Sequence, residues 1–131
     1  MLAWANTTIE SHPECRVIVT THDYMNIDGT RTTNGDHIWQ DFVVHHADQI
    51  FLVLCGHNHG ENMRTDIVDG YTVYQLLADY QDRTNGGNGW LRVLKFIPSE
   101  DTVTVQTYSP YLDQYEIDAD SQFNLFYDMT G

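Results

Sequence analysis

Two histidines one residue apart, His57 and His59, stand in the stretch Cys55-Gly56-His57-Asn58-His59-Gly60-Glu61. Neutral imidazole is a good ligand for Zn, Fe, Mn and similar ions. Residues two apart in an extended chain point to the same face, and glycines on either side free the backbone to turn sharply around the pair. The plainer alternative is a polar surface turn. The apolar run Ile50 to Leu54 just before the turn favours the metal reading, because a buried strand would hold the turn in a fixed place.

A third imidazole belongs with them by position. Arg16-Val17-Ile18-Val19-Thr20 is a β-branched run that reads as a buried strand, and it ends on Thr21-His22-Asp23. Residues 23 to 36, rich in Asn, Asp and Gly, suit a loop. From Asp36 to Asp48, apolar residues recur at three- and four-residue spacing, which predicts a helix with one buried face. Strand, loop, helix and strand make a βαβ unit whose two strands are parallel and end at one sheet edge, where open α/β sheets bind ligands. His22, His57 and His59 are thereby expected to converge.

The rest of the chain changes pattern. A short helix is predicted over residues 2 to 12, ending before His12-Pro13. After Gly60, the segments 63–68, 71–77, 90–97, 103–108 and 123–127 are strand-like and separated by turn signals such as Asp69-Gly70 and Asn85-Gly86-Gly87-Asn88-Gly89. They predict an antiparallel meander. The fold class is α/β, in a single domain or part of one, since 131 residues are too few for two ordinary domains.

Charge and cysteine usage narrow the function. Nineteen acidic against six basic residues give a formal net charge of −13, which argues against a nucleic-acid backbone or anionic membrane surface as partner. A bound divalent metal is then the economical source of positive charge for an anionic substrate. Cys15 and Cys55 lack the spacing of a zinc ribbon or a disulfide framework. No apolar run approaches the roughly 20 residues that cross a bilayer, and the opening residues lack a basic start followed by an apolar stretch.

Two familiar His-x-His sites fit poorly. A metallo-β-lactamase-like site continues as His-x-His-x-Asp-His, but positions 61 and 62 are Glu61 and Asn62. An amidohydrolase barrel needs several more βα units. The chain instead resembles the calcineurin-like metallophosphoesterases over roughly residues 10 to 127. The resemblance is carried by VIVTTHD ending on His22 and Asp23, by LCGHNH one helix and one strand later, and by the tail QLLADYQDRTNGGNGWLRVLKF with TYSP. The tail is similar to that of secreted or cell-surface bacterial members. The resemblance implies the C-terminal half of an α/β/β/α sandwich that hydrolyses a phosphomonoester or phosphodiester with two divalent metals, Mn, Fe or Zn. It implies His22 and His57 on one metal and His59 on the other.

The family's Asp-x-His, Gly-Asp-x-x-Asp and Gly-Asn-His motifs are absent, so the bridging carboxylate and the other ligands are missing. Asp36-His37 cannot replace them, because it follows His22 at the start of a helix. Residues 1–131 are therefore expected to be one partial domain, incompetent alone for dinuclear catalysis and prone to self-association through open sheet edges. The competing expectation is a non-catalytic acidic β-rich binding module that keeps the histidine turn as a remnant.

The remaining candidates are read as structural. His12, His37, His45 and His46 are assigned to the surface or a helix face, and Cys55 to a buried thiol. Asn85 to Gly89 lacks the ending of a P-loop and reads as a flexible turn. Asp79-Tyr80-Gln81 reads as packing or loop anchoring. Trp90 to Ile97 is apolar on both faces and reads as core, with Arg92 and Lys95 free to reach solvent or a carboxylate. Asp113, Glu116, Asp118, Asp120 and Asp128 read as a solvated acidic surface.

Overall fold

The computed structural model describes residues 1–129 and shows an α/β chain that divides into two compact units. The first is Met1–Asn58 with Asn62–Leu77; the second is His59–Glu61 with Ala78–Gly131.

The first unit is built on the predicted βαβ element. Strands β1 (Val17–Asp23) and β2 (Ile50–Gly56) pair in parallel, with helix α2 (Thr33–Asp41) between them in sequence; helix α1 (Leu2–Glu10) precedes β1. β2 lies inside the sheet and buries nearly every side chain, which explains its unbroken apolar run. The core gathers Ile9, Tyr24, Phe42, Val43, Ile50 and Val53 among others.

Two expectations are corrected here. The strands after Gly60 do not all enter an antiparallel meander. β3 (Gly60–Val68) and β4 (Tyr71–Asp79) join the first sheet in the order β1-β2-β4-β3, with β4 parallel to β2. The Asp69-Gly70 turn between them has positive φ at both residues, as a tight two-residue hairpin requires. Nor does the helix run unbroken to Asp48: α2 stops at Asp41, and a 3₁₀ turn covers Val43–His46. Adjacent residues on a helix diverge by about 100°, so breaking the helix lets Phe42 and Val43 both enter the core.

The second unit holds the antiparallel part. β6 (Thr102–Ser109) is its spine: β5 (Leu91–Ile97) runs along one side, and β7 (Gln114–Glu116) and β8 (Gln122–Phe126) pair with successive halves of β6. β7 escaped the sequence reading because three residues carry no periodicity. β5 is an edge strand rather than a doubly covered one, and Leu91, Val93 and Phe96 are about two-fifths exposed. Its pattern matches core, but Leu91 and Val93 on one face and Phe96 on the other are not covered by another layer within the unit.

The Asn85 to Gly89 turn is specific in shape. All five residues have positive φ, a left-handed turn closed by Gly87 N–H to the Arg83 carbonyl at 3.0 Å. Only Gly and Asn adopt that conformation cheaply in succession. A Cβ on Gly87 would also lie 2.8 Å from the Tyr80 carbonyl oxygen.

Among the described residues, no helix is long and apolar enough to cross a membrane.

Candidate functional site

In the first unit, the ends of β1 and β2 bring His22 and His57 together. His22 Nε2 lies 2.9 Å from His57 Nδ1, and the rings meet edge to face with centroids 4.6 Å apart. Both side chains are exposed. The parallel register sets Asp23 opposite Gly56, so each histidine lies one residue from the same rung of the sheet.

The turn that carries His57 is strained. The Asn58 N–H donates to the Gly56 carbonyl at 2.9 Å, and the residue between them, His57, has φ of 70°. This is the rarer, positive-φ form of the γ-turn. Gly56 does not take the unusual conformation, as the flanking-glycine argument had expected of it; it remains the last residue of β2. Asn58 holds the turn from the far side, donating to the Met25 carbonyl at 3.0 Å and to Asn26 Oδ1 at 3.3 Å. Strain of this kind persists where surrounding bonds over-determine it.

The loop after β1 is equally fixed. Asp28 caps a tight turn by accepting from the Thr30 N–H at 2.9 Å, and Met25 bridges to Arg31. Arg31, its side chain only 7% exposed, pairs with Asp66 and donates to Gln75 Oε1 at 2.9 Å, and Tyr24 Oη donates to the same oxygen. Gln75 Nε2 completes the cluster by donating to Asp66 at 2.7 Å. Burial pushes the Asp66 carboxyl up, but bonds from Arg64 and Gln75 and the charge of Arg31 outweigh it and bring its pKa to about 2. Burial pushes the Tyr24 hydroxyl up to about 12 despite Arg31. No sequence spacing connected residues 24, 31, 66 and 75, since the sheet order joins them.

Helix α2 begins where the loop ends. Thr32 caps it by accepting from the Gly35 N–H at 3.0 Å, and Asn34 Nδ2 donates to the Asp23 carbonyl at 2.7 Å. Gly35 is required by contact: a Cβ there would lie 1.9 Å from the Tyr24 carbonyl oxygen. Between this helix start and His57 lies a depression of about 610 Å³, wide open to solvent and bordered also by Asp23 and Asn58.

His59 belongs to the second unit. Its Nδ1 pairs with Asp82, and its Nε2 contacts the Gln81 side-chain amide. Two residues on, Glu61 lies in a dense network. It pairs with Arg83 at 2.6 Å and with Arg92, and it accepts from Tyr80 Oη at 2.8 Å, Thr107 Oγ1 at 3.0 Å and Ser121 Oγ at 3.1 Å. Burial raises the Glu61 carboxyl, but Tyr80, Arg92 and the two hydroxyls outweigh it and hold it below the usual carboxylate range. The network gives Arg92 its carboxylate, and Tyr80 anchors it as a packing residue. It also corrects the reading of Glu116 as a solvated acid, because both Glu116 oxygens bind Arg83 at 2.7 Å.

The other histidines divide. His37 is exposed and pairs with Asp41 one helical turn away. His12 bonds the Thr8 carbonyl at the end of α1, and His45 is exposed. His46 is buried instead, 8% exposed and bonded to Asn6 Oδ1 at 2.7 Å, because the break after α2 turns it inward. Cys55 is a buried thiol, its pKa pushed up to about 11 by burial.

Two imidazole nitrogens on one divalent ion, each about 2.0–2.1 Å from it, lie about 2.9 Å apart at a right angle and about 3.3 Å apart in a tetrahedron. His22 Nε2 and His57 Nδ1, hydrogen-bonded to each other at 2.9 Å, match the right-angled separation. They make part of a ligand set. Among the described residues, no group of three or more His, Cys, Asp or Glu side chains is gathered closely enough to hold an ion.

No protein-family model matches the chain. The chain is similar to an uncharacterized protein, YvnB, of Bacillus subtilis (strain 168), with 36% identity over 131 aligned residues that cover 94% of this chain and 10% of the relative. It thus spans about a tenth of the length of the curated relative that it matches.

Proposed function

We propose that this chain is the C-terminal part of a metal-dependent phosphoester hydrolase of the calcineurin-like kind, and that His22 and His57 are ligands of one divalent ion and His59 of a second. The observation that carries the reading is the 2.9 Å approach of His22 Nε2 and His57 Nδ1 at the ends of neighbouring parallel strands, with His57 in a strained turn. Strain and an exposed pair of good donors in one place favour a functional account over a surface turn.

When bound, two such ions lower the pKa of a water and stabilise charge on attacking and leaving oxygens. The residues of the chain orient. Asn58 fixes the His57 turn, and the Arg31–Asp66–Gln75 cluster fixes the loop that follows His22. Asp82, paired with His59 Nδ1, would favour the tautomer whose Nε2, now contacted by the Gln81 amide, is the free ligand nitrogen. A two-metal centre on these histidines would need carboxylate ligands besides them.

The test is metal content after dialysis, together with hydrolysis of p-nitrophenyl phosphate, in the longest form of the protein with and without His59→Ala. Loss of metal and activity is expected; unchanged values for both would sink the metal reading. The half-exposed apolar side chains Leu91, Val93 and Phe96 on β5 favour a second reading, a binding module, which predicts that the His59 substitution has no effect.

A further inference from the structure

We propose that the outward face of the antiparallel sheet in the second unit binds an uncharged polysaccharide, with Tyr108 and Tyr115 as a stacking platform and Gln106 and Gln122 as hydrogen-bonding groups. The inference uses no histidine and no metal ion, so it and the hydrolase reading stand or fall separately.

The sheet register builds the surface. Residues directly opposite on neighbouring strands share a face, and so do residues two apart along a strand. Along β6, Val103, Val105 and Thr107 point to the buried side and are 0% exposed, while Thr104, Gln106 and Tyr108 point the other way and are half-buried. Leu91 and Tyr115 flank Tyr108 across the strands. Val93 and Gln122 flank Gln106 in the same way, and Lys95 and Asn124 flank Thr104. At about 3.4 Å per residue, the run from Thr104 to Tyr108 is about 14 Å long, room for a short stretch of sugar rings.

The two tyrosines are held ready for stacking. Their ring centroids lie 4.6 Å apart at an interplanar angle of 35°, and Tyr108 Oη donates to Asp113 Oδ1 at 2.8 Å, which fixes the inner ring. Tyr115 is 58% exposed. A ring face is electron-rich and attracts the weakly positive C–H groups of a sugar, and rings fixed before binding lose little entropy in it. Beside them, the side chains of Thr104, Gln106, Gln122 and Asn124 make no hydrogen bond to the protein among the described residues. Each amide offers both donors and an acceptor.

Charge and polarity narrow the partner. The cross-strand rows carry no Asp or Glu for a basic peptide, and Lys95 as their one cation is too little for a polyanion against a net charge of −13. An apolar protein surface would bury the amides of Gln106 and Gln122 without partners, which costs free energy. Sugar hydroxyls satisfy those amides while the C–H faces of the same rings cover Tyr115 and Leu91. An uncharged glycan is the partner that answers both kinds of group at once.

The experiment titrates the whole chain with cellohexaose and xylohexaose, and with hexagalacturonate as an anionic control, following the side-chain amide resonances of Gln106 and Gln122 and the ring resonances of Tyr115. Saturable shifts at those residues are expected with at least one neutral oligosaccharide, unchanged by EDTA and absent with hexagalacturonate. Tyr115→Ala should weaken the affinity at least about tenfold, or about 1.4 kcal/mol. Gln122→Ala, at an exposed position, should weaken it about threefold through a lost hydrogen bond, and it keeps the test valid if the tyrosine variant unfolds. No shift with either neutral sugar, shifts confined to other residues, an affinity unmoved by both substitutions, or preference for hexagalacturonate overturns the inference. Loss of binding in EDTA overturns it too, since the sugar would then be held through an ion. Concentration-dependent broadening at Tyr115 without sugar would assign the face to a second copy of the chain and overturn it as well.

Discussion

His57 and Glu61 are four residues apart and have opposite surroundings. His57 is exposed, sits in a positive-φ turn, and faces another imidazole across 2.9 Å. Glu61 has a side chain 6% exposed, is paired with two arginines, and accepts from three hydroxyls. At His57, two exposed imidazoles bond only each other through their facing nitrogens, on a turn that carries backbone strain. In the second unit, both oxygens of the buried Glu61 carboxylate are bonded. A carboxylate saturated in this way has a structural role, however close it lies in sequence to a metal-binding motif; capacity for chemistry remains where nitrogen donors are held but not consumed.

The sharpest way to break the contrast is Glu61→Ala. Removing one side of a buried ion pair leaves the other charge uncompensated, and the Arg92 side chain is itself only 6% exposed. A loss of about 3–5 kcal/mol in urea unfolding is expected; a loss below 1 kcal/mol would show that the network is loose.

Smaller effects are expected where a methyl meets backbone. Gly35→Ala would press on the Tyr24 carbonyl and should cost about 1–3 kcal/mol. Gly87→Ala combines a positive φ with a contact on the Tyr80 carbonyl and should cost a similar amount, about 1–3 kcal/mol. Thermal unfolding of both variants checks the two units separately. Equality with the parent protein would contradict the packing described.

The acid limb of stability sharpens the comparison from the first unit's side. Asp66 has its pKa lowered from 3.8 to about 2 on folding, so its contribution is present above about pH 4 and fades as pH falls toward 2. Asp66→Asn should therefore destabilise at pH 5 and approach the parent near pH 2, as read from urea midpoints across that range. A gap that stays constant with pH would mean the pairing with Arg31 and Arg64 does not depend on the charge.

The smallest effect is expected at His57. His57→Ala removes an exposed side chain, so stability should change by less than about 0.5 kcal/mol, while metal binding is lost. That dissociation of stability from binding is the opposite of what Glu61 should show.

How much of this was legible in the residues differs between the two regions. Ile50 to Leu54 is apolar without interruption, so its place inside a parallel sheet could be read directly, as could the parallel pairing that sets His22 near His57. The strain at His57 could not be read, because glycine neighbours suggested that they would take the unusual conformation. The Glu61 network was invisible for another reason. Its members, Tyr80, Arg83, Arg92, Thr107 and Ser121, are spread over 60 residues, and only the antiparallel pairing around β6 brings them together. Arg31, Asp66 and Gln75 are likewise far apart in sequence, and the order of the first sheet brings them together. β5 was misread because alternation of apolar residues reports strand, while exposure depends on whether another layer covers it.

The central claim is that His22 and His57 act as a pair on one metal ion. Titrating the protein with Zn²⁺ while following its imidazole resonances tests it most directly. The account predicts that His22 and His57 shift together with a single weak affinity, and that His57→Ala abolishes the shift at His22. If His22 and His57 stayed unmoved, or His22 bound zinc as well without His57, the pair would not be a metal site and the hydrolase reading would lose its structural basis.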